Sequence, residues 1–194
     1  METSLIYDSL AALLVYPSAD YHQRVTRATT AFAPVEPEGA VLLNRFAEQI
    51  RNLSTEELQE MFIRTFDMNP VRSLDVGWHL FGENYDRGTF LVKMRQQLRR
   101  FGIAESRELP DHITHALAVL GRMPAGEAEE FAVACVFPAL EKMRAGFDDK
   151  KEANPFKDVL DALAGLLRGW YGDALLETAA SAPALRVLQG SELR

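Results

Sequence analysis

Residues 156–167 read Phe-Lys-Asp-Val-Leu-Asp-Ala-Leu-Ala-Gly-Leu-Leu and carry the clearest apolar pattern of the chain. Large apolar side chains recur there at i, i+3, i+4, i+7 and i+11, which is the spacing of one face of an α-helix. They are Phe156, Val159, Leu160, Leu163 and Leu167. Asn154-Pro155 stands directly before them, and a capping asparagine followed by proline is typical of a helix start. The segment therefore predicts a long amphipathic helix.

The same spacing recurs along the rest of the chain. The stripes are Ile6, Leu10, Leu13 and Leu14; Leu42, Phe46, Ile50 and Leu53; Leu58, Met61, Phe62 and Phe66; Phe90, Met94, Leu98 and Phe101; and Ile113, Ala116, Leu117 and Leu120. No segment alternates with period two among β-branched residues, so no sheet is predicted. We therefore predict an all-α fold, a single-domain bundle of about eight or nine helices.

Short polar and proline-containing motifs separate the stripes. Ser54-Thr55-Glu56-Glu57 has the pattern of a capping box, in which Ser54 and Glu57 each bind the other's amide. Phe101-Gly102 predicts a helix end, and Asn69-Pro70 predicts a break between two helical patterns. Pro138 lies inside an apolar run and predicts a kink or a division into two helices.

Composition suggests where the domain ends. We predict a helical domain over residues 1–172 with a mobile linker at 146–154, where proline, glycine and charged residues concentrate. Residues 173–194 contain small and polar residues without a long stripe, so we expect a flexible C-terminal tail.

Charge and composition exclude several classes of protein. The 194 residues include 21 basic and 28 acidic side chains, a net charge of −7, so nucleic acid is not an expected partner. The single cysteine, Cys135, permits no intrachain disulfide and no cysteine-rich zinc site. The start of the chain, Met1-Glu2-Thr3-Ser4, lacks the basic region of a signal peptide, and no apolar run approaches the length of a membrane span. We therefore expect a cytoplasmic protein without direct membrane insertion, as a monomer or weak homodimer.

The sequence contains no recognisable catalytic motif. It has no phosphate-binding Walker loop, no dinucleotide fingerprint and no Gly-x-Ser-x-Gly elbow. Cys135 lies in an apolar helical run and is interpreted as a core residue. His112 and His115 with Asp111 and Glu108 are the one arrangement that could hold a metal, but helix capping and packing explain the two histidines better. We predict no catalytic residue, no metal, no cofactor and no enzymatic activity.

Three segments have a more specific pattern. They are Phe66-Asp67-Met68-Asn69-Pro70-Val71-Arg72-Ser73-Leu74; His79-Leu80-Phe81-Gly82-Glu83 with Asp86-Arg87-Gly88; and Glu108-Leu109-Pro110-Asp111-His112. In this order and spacing they resemble the nitrate reductase molybdenum-cofactor assembly chaperones of the NarJ type. That family is part of the redox-enzyme maturation chaperones that include the TorD-like and DmsD-like proteins. The resemblance extends from about residue 5 to about residue 168.

The resemblance implies an all-α cytoplasmic chaperone that is not an enzyme. Its client would be the apo catalytic subunit of a molybdenum oxidoreductase, most directly a respiratory nitrate reductase, recognised in part through an N-terminal leader-like segment. The chaperone would assist molybdenum-cofactor insertion and hold back premature assembly. Catalytic subunits of selenate, chlorate or hydrocarbon dehydrogenase systems are alternative clients. A helical adaptor with an unrelated partner, and a metal-dependent protein built on His112 and His115, remain alternative hypotheses.

A chaperone for an amphipathic leader needs a groove with an apolar floor and a polar rim. The resemblance directs that role to Phe66, Asp67, Asn69, Pro70, Ser73, Leu74, Trp78, His79, Phe81, Gly82, Glu83, Asp86, Arg87, Leu109, Pro110, Asp111 and His112. Among these, the aromatic and leucine side chains would form the floor, together with Leu80. The carboxylates, with Asp75, would bind cations of the leader. Arg87 is predicted to form an internal ion pair that fixes the wall of the groove.

Overall fold

The computed structural model describes residues 2–147 and 153–178, and it confirms the all-α prediction. Within these two ranges there are nine helices and no β-strand. They are α1 (Glu2–Ala11), α2 (Tyr21–Phe32), α3 (Pro37–Ile50), α4 (Thr55–Phe62), α5 (Val76–Phe81), α6 (Tyr85–Arg100), α7 (Ile113–Leu120), α8 (Ala125–Phe131 and Phe137–Ala145, joined by a π-helical turn at Ala132–Val136) and α9 (Phe156–Thr178). None of these helices combines the length and the apolar character that crossing a bilayer requires.

Four phenylalanine rings hold the centre of the fold together. The ring centroid of Phe156, in the first turn of α9, lies 5.4 Å from Phe46 of α3, 5.6 Å from Phe62 of α4 and 5.1 Å from Phe66. All four rings are buried, and their edge-on and tilted arrangements are those that aromatic pairs favour. The predicted stripes therefore meet in one apolar core.

Ion pairs tie neighbouring helices together at the edge of this core. Arg45 of α3 donates from Nε to Asp158 of α9 at 2.7 Å. Arg122, just after α7, makes two 2.9 Å bonds to the carboxylate of Asp8 in α1. The two ion pairs therefore link α3 to α9 and the end of α7 to α1.

Helix ends follow the local sequence. The capping box of Ser54 and Glu57 is formed, with bonds of 3.2 and 2.8 Å. Asn154 Oδ1 accepts from the amide of Phe156 at 3.0 Å and so caps the start of α9. Helix α6 stops at Arg100, and Gly102 follows with φ = +65°, a conformation that glycine adopts without strain.

Pro138 does not divide α8 with a loop. The proline lacks an amide hydrogen, and its ring would collide with the carbonyl four residues earlier in a regular α-helix. The chain instead widens into the π-helical turn Ala132–Val136 immediately before Phe137–Ala145. The sequence predicted an irregularity at Pro138, and the π turn is the form that it takes.

Helix α9 runs past the predicted domain boundary at residue 172 and continues to Thr178. Its backbone departs from helical geometry at Tyr171, whose hydroxyl lies 3.2 Å from that of Tyr7. Residues 148–152 of the predicted linker and 179–194 of the predicted tail lie outside the described residues. Their flexibility stays a prediction.

Candidate functional site

A short backbone ladder joins the end of the first of the three sequence segments to the end of the third. The amide of Ile113 donates to the carbonyl of Leu74 at 2.7 Å, and the amide of Val76 donates to the carbonyl of Asp111 at 2.9 Å. These bonds form an isolated antiparallel bridge between Asp75 and His112. The loop before α7 is thereby fixed against the loop before α5, although the two loops are far apart in sequence.

An ion cluster lies beside this bridge. Arg87 of α6 donates from Nη2 to Asp75 Oδ2 at 2.9 Å and from Nε to Asp111 Oδ2 at 3.2 Å. Its guanidinium also lies 5.7 Å from the ring centroid of Trp78. The ion pair predicted for Arg87 is therefore formed, with Asp75 and Asp111 rather than with the adjacent Asp86.

Asp111 is fully buried, and its second oxygen, Oδ1, has no hydrogen-bond partner among the described residues. Burial raises the pKa of this carboxyl, the nearby Asp75 raises it further, and Arg87 lowers it. Gly77 makes room for the carboxylate, because a Cβ at that position would lie 2.6 Å from Asp111 Oδ2 and 2.9 Å from the ring of Phe90. Gly77 is thus a supporting residue that the sequence analysis missed.

An acidic hollow of about 410 Å³ opens next to the ion cluster. Ten residues between the end of α4 and the start of α7 line it: Phe66, Asp67, Pro70, Ser73, Leu74, Asp75, Trp78, Arg87, Glu108 and His112. Eight of these ten are among the predicted site residues. We name this cavity the acidic hollow because three carboxylates line it, against the single guanidinium of Arg87.

A π-helical turn brings Phe66 and Asp67 to the acidic hollow. Residues Ile63–Asp67 extend α4 in this wider geometry, and the amide of Met68 closes it on the carbonyl of Ile63 at 2.9 Å. The turn is held from outside by Asn154, whose side-chain amide donates to Thr65 Oγ1 at 2.7 Å. Such turns insert one extra residue and so redirect the side chains that follow.

Burial and neighbouring charge shift the pKa values of two groups in the acidic hollow. The pKa of Asp67 is raised by partial burial and by the neighbouring charge of Asp75. Burial lowers the pKa of His112 to about 3, so its ring is neutral at pH 7 and adds no positive charge. A cation entering the hollow would therefore relieve repulsion between carboxylates.

A second, more open cavity lies on the other side of Trp78. We name it the apolar hollow; it has a volume of about 560 Å³ and is lined by Pro70, Val71, Trp78, His79, Leu80, Gly82, Lys142 and Ala145. The side chain of Val71 is 60% exposed and adds apolar surface to this cavity. Pro70 and Trp78 line both hollows and form the ridge between them.

Hydrogen bonds make this ridge rigid. Trp78 donates from Nε1 to the carbonyl of Pro70 at 2.9 Å, and Asn69 Oδ1 accepts from the amide of Val71 at 3.2 Å. His79 Nε2 lies 2.7 Å from the carbonyl of Ser73, and Lys142 donates to the carbonyl of His79 at 2.6 Å. The walls of both hollows therefore belong to one hydrogen-bonded unit.

The predicted site residues fall into three groups. Eight line the acidic hollow, and His79 and Gly82 line the apolar hollow with Pro70 and Trp78. The others line neither: Asn69, Phe81, Glu83, Asp86, Leu109, Pro110 and Asp111. Asn69 and Asp111 support the walls, and Phe81 packs on Phe90 with ring centroids 5.5 Å apart.

Sequence reasoning missed Val71, Lys142 and Ala145 in the apolar hollow. It named Glu108 only as a metal-ligand candidate. Lys142 and Ala145 lie in the last turn of α8, about 60 residues from the other lining residues, and nothing in the local sequence of α8 marks them. Val71 lies inside the first segment, but its exposure, which marks it as part of the cavity, cannot be read from the sequence.

The histidines proposed as metal ligands have other roles in the described residues. His115 contacts the carbonyl of Leu109 through Nδ1 at 2.9 Å and accepts from the amide of Ser106 through Nε2 at 3.1 Å. His112 is the N-cap of α7, with Nδ1 as acceptor. In the described parts of the chain, no group of histidine, cysteine and carboxylate side chains is arranged to hold a metal ion. Cys135 is buried, and burial raises its pKa to about 12.

Comparisons with known proteins point to one family. The family model "Nitrate reductase delta subunit" matches residues 33–173. The chain is also 31% identical over 125 residues to proteins named nitrate reductase molybdenum cofactor assembly chaperone NarJ, from Escherichia coli strain K12 and from Escherichia coli O157:H7. The alignment covers 62% of this chain and 53% of each relative, so the chain spans about half the length of the curated relatives that it matches.

Proposed function

Because the chain belongs to the nitrate reductase delta subunit family, we propose that it is an assembly chaperone for the catalytic subunit of a molybdenum oxidoreductase of the nitrate reductase type. It binds the apo subunit in the cytoplasm, in part through an N-terminal leader-like segment, and assists insertion of the molybdenum cofactor. It acts as a monomer or weak homodimer, and it makes and breaks no covalent bond.

The observation that carries this proposal is the pair of hollows on either side of Trp78. One offers carboxylates in excess over cations, and the other offers exposed apolar surface. An amphipathic segment with basic residues matches both, because its cations meet Asp67, Asp75 and Glu108 while its apolar face covers Val71 and Trp78. The two similar Escherichia coli proteins are named as assembly chaperones, which supports the same role.

The mechanism follows from differential binding. A chaperone that binds the open apo client better than the mature client stabilises the apo state by mass action. Insertion of the cofactor closes the client and weakens the complex, so release needs no energy source. The rigid, hydrogen-bonded walls of the hollows suit this role, since a preformed groove loses little conformational entropy on binding.

We expect the full chain to bind the apo catalytic subunit at least tenfold more tightly than the cofactor-loaded subunit. A tenfold difference in Kd corresponds to about 1.4 kcal/mol of binding free energy. The loss of a few contacts in the mature client is enough to account for it. The measurement is a binding titration of the two client forms under the same conditions. Equal affinity for both forms, or no affinity for either, would contradict the proposed function. Apo catalytic subunits of selenate, chlorate or hydrocarbon dehydrogenase systems would be tested alongside to identify the client.

A further inference from the structure

The two hollows adjoin at the Trp78 ridge, and we call the pair the groove; its two sides differ in charge. Pro70 and Trp78 line both cavities, so a ligand that covers the Trp78 ridge touches the acidic hollow on one side and the apolar hollow on the other. A helical segment of about 15 residues spans roughly 22 Å and could extend over both. The charges of the two hollows then decide which end of such a helix lies in which hollow.

The acidic end has more negative charge than its own cation neutralises. Asp67, Asp75 and Glu108 line it, and Arg87 is shared between Asp75 and the buried Asp111. Because these two contacts occupy Arg87, it forms no ion pair with Asp67 or Glu108 in the described part of the chain. A positive group brought by the ligand is therefore favoured at this end.

The opposite end carries a cation. Lys142 stands exposed at the border of the apolar hollow, where one of its three ammonium hydrogens is used by the carbonyl of His79. No carboxylate is among the described residues that line this hollow. A negative group or the carbonyl end of a helix is therefore favoured beside Lys142.

We propose that the groove binds the client segment as a helix in one direction, with its positively charged N-terminal end in the acidic hollow and its C-terminal end at Lys142. This inference rests on the proposed function and adds the polarity of the bound segment. A helix has a partial positive charge at its N-terminus and a partial negative charge at its C-terminus, so both ends favour the same direction. The charge interactions at the two helix ends together correspond to roughly a three- to thirtyfold higher affinity for this direction than for the reversed helix.

The experiment uses the isotope-labelled full chain and a synthetic peptide copying the N-terminal segment of the client's catalytic subunit. A nitroxide spin label is attached either at the first or at the last position of the peptide. We expect the first label to broaden the amide signals of Asp67 and Glu108, and the last label to broaden those of Lys142 and Ala145. The opposite pattern, or equal broadening from both labels, overturns the proposed direction.

Charge variants identify the groups responsible. The double variant Asp67→Asn with Glu108→Gln should weaken peptide binding about tenfold and make the broadening patterns of the two spin labels more alike. The control Glu56→Gln, at an exposed position of α4 outside both hollows, should change neither the affinity nor the patterns. Acetylating the peptide's amino terminus, or replacing its basic side chains by glutamine, shows which cation enters the acidic hollow. Unchanged affinity and direction in the double variant overturns the proposal. A peptide that does not bind at all overturns the proposed function with it, whereas binding without a fixed direction overturns only the present inference.

Discussion

Replacing Arg87 by methionine is expected to lower the free energy of unfolding by about 3 kcal/mol. The substitution keeps an unbranched side chain of similar length but leaves the carboxylate of Asp111 buried without the guanidinium with which it forms an ion pair. Removing one partner of a buried pair costs about 3 to 5 kcal/mol because the remaining charge is uncompensated. We expect the lower end of this energy range, because the pKa of Asp111 is already raised. The carboxylate can therefore take up a proton and lose its charge. Urea unfolding at pH 7 measures the change.

A rescue variant and a surface control make this prediction specific. Asp111→Asn in the Arg87→Met background removes the buried charge and should recover more than half of the lost stability. Arg64→Met removes an exposed partner of Glu60 and should cost less than about 1 kcal/mol, the usual contribution of a surface ion pair. An Arg87→Met protein as stable as the Arg64→Met protein would show that the ion cluster does not hold the two loops together.

Lowering the pH from about 6.5 to 4.5 should destabilise the wild-type chain in part through His112. Its folded-state pKa of about 3 lies below the unfolded value of 6.5, because burial disfavours the charged ring. Between these two values the unfolded chain binds more protons, so stability falls as the pH falls. His79 has a lowered pKa for the same reason and contributes with the same sign. One such group changes the unfolding free energy by at most about 1.4 kcal/mol per pH unit.

The matched variant is His112→Asn. Asparagine is a favoured N-cap residue and can keep the acceptor at the start of α7, but it does not titrate. We expect a shallower loss of stability over this pH range than in the wild type, measured as urea midpoints at each pH. The raised pKa values of Asp67 and Asp111 act with the opposite sign, yet they are common to both proteins and cancel in the comparison. Parallel curves for the two proteins would refute the assignment to His112.

Local periodicity was sufficient for the fold because most helices bury one continuous stripe. Phe46, Phe62 and Phe156 were placed in stripes by spacing alone, and all three are buried in the centre. The π-helical turns were not predictable in this way. The turn at Ile63–Asp67 is fixed by Thr65 and by Asn154, almost 90 residues later in the chain, so its cause is tertiary.

The candidate site was less accessible to local reasoning. Asp111 was predicted among the carboxylates that bind cations of the leader, but its side chain is fully buried and contacts Arg87. The resemblance to a chaperone family, rather than any periodic pattern, grouped the residues around Trp78. Lys142 enters the groove from α8 through packing alone. Sequence patterns specify which face of a helix is buried, whereas the lining of a cavity depends on how several helices meet.

Chemical-shift mapping shows whether the groove on both sides of Trp78 binds the client. The isotope-labelled chain is titrated with the N-terminal peptide of the catalytic subunit, and each amide signal is followed. We predict that the largest shifts occur at Asp67, Trp78 and Lys142, and that they saturate together. Saturable shifts confined to surfaces remote from Trp78, for example the exposed face of α2, would contradict binding in the groove.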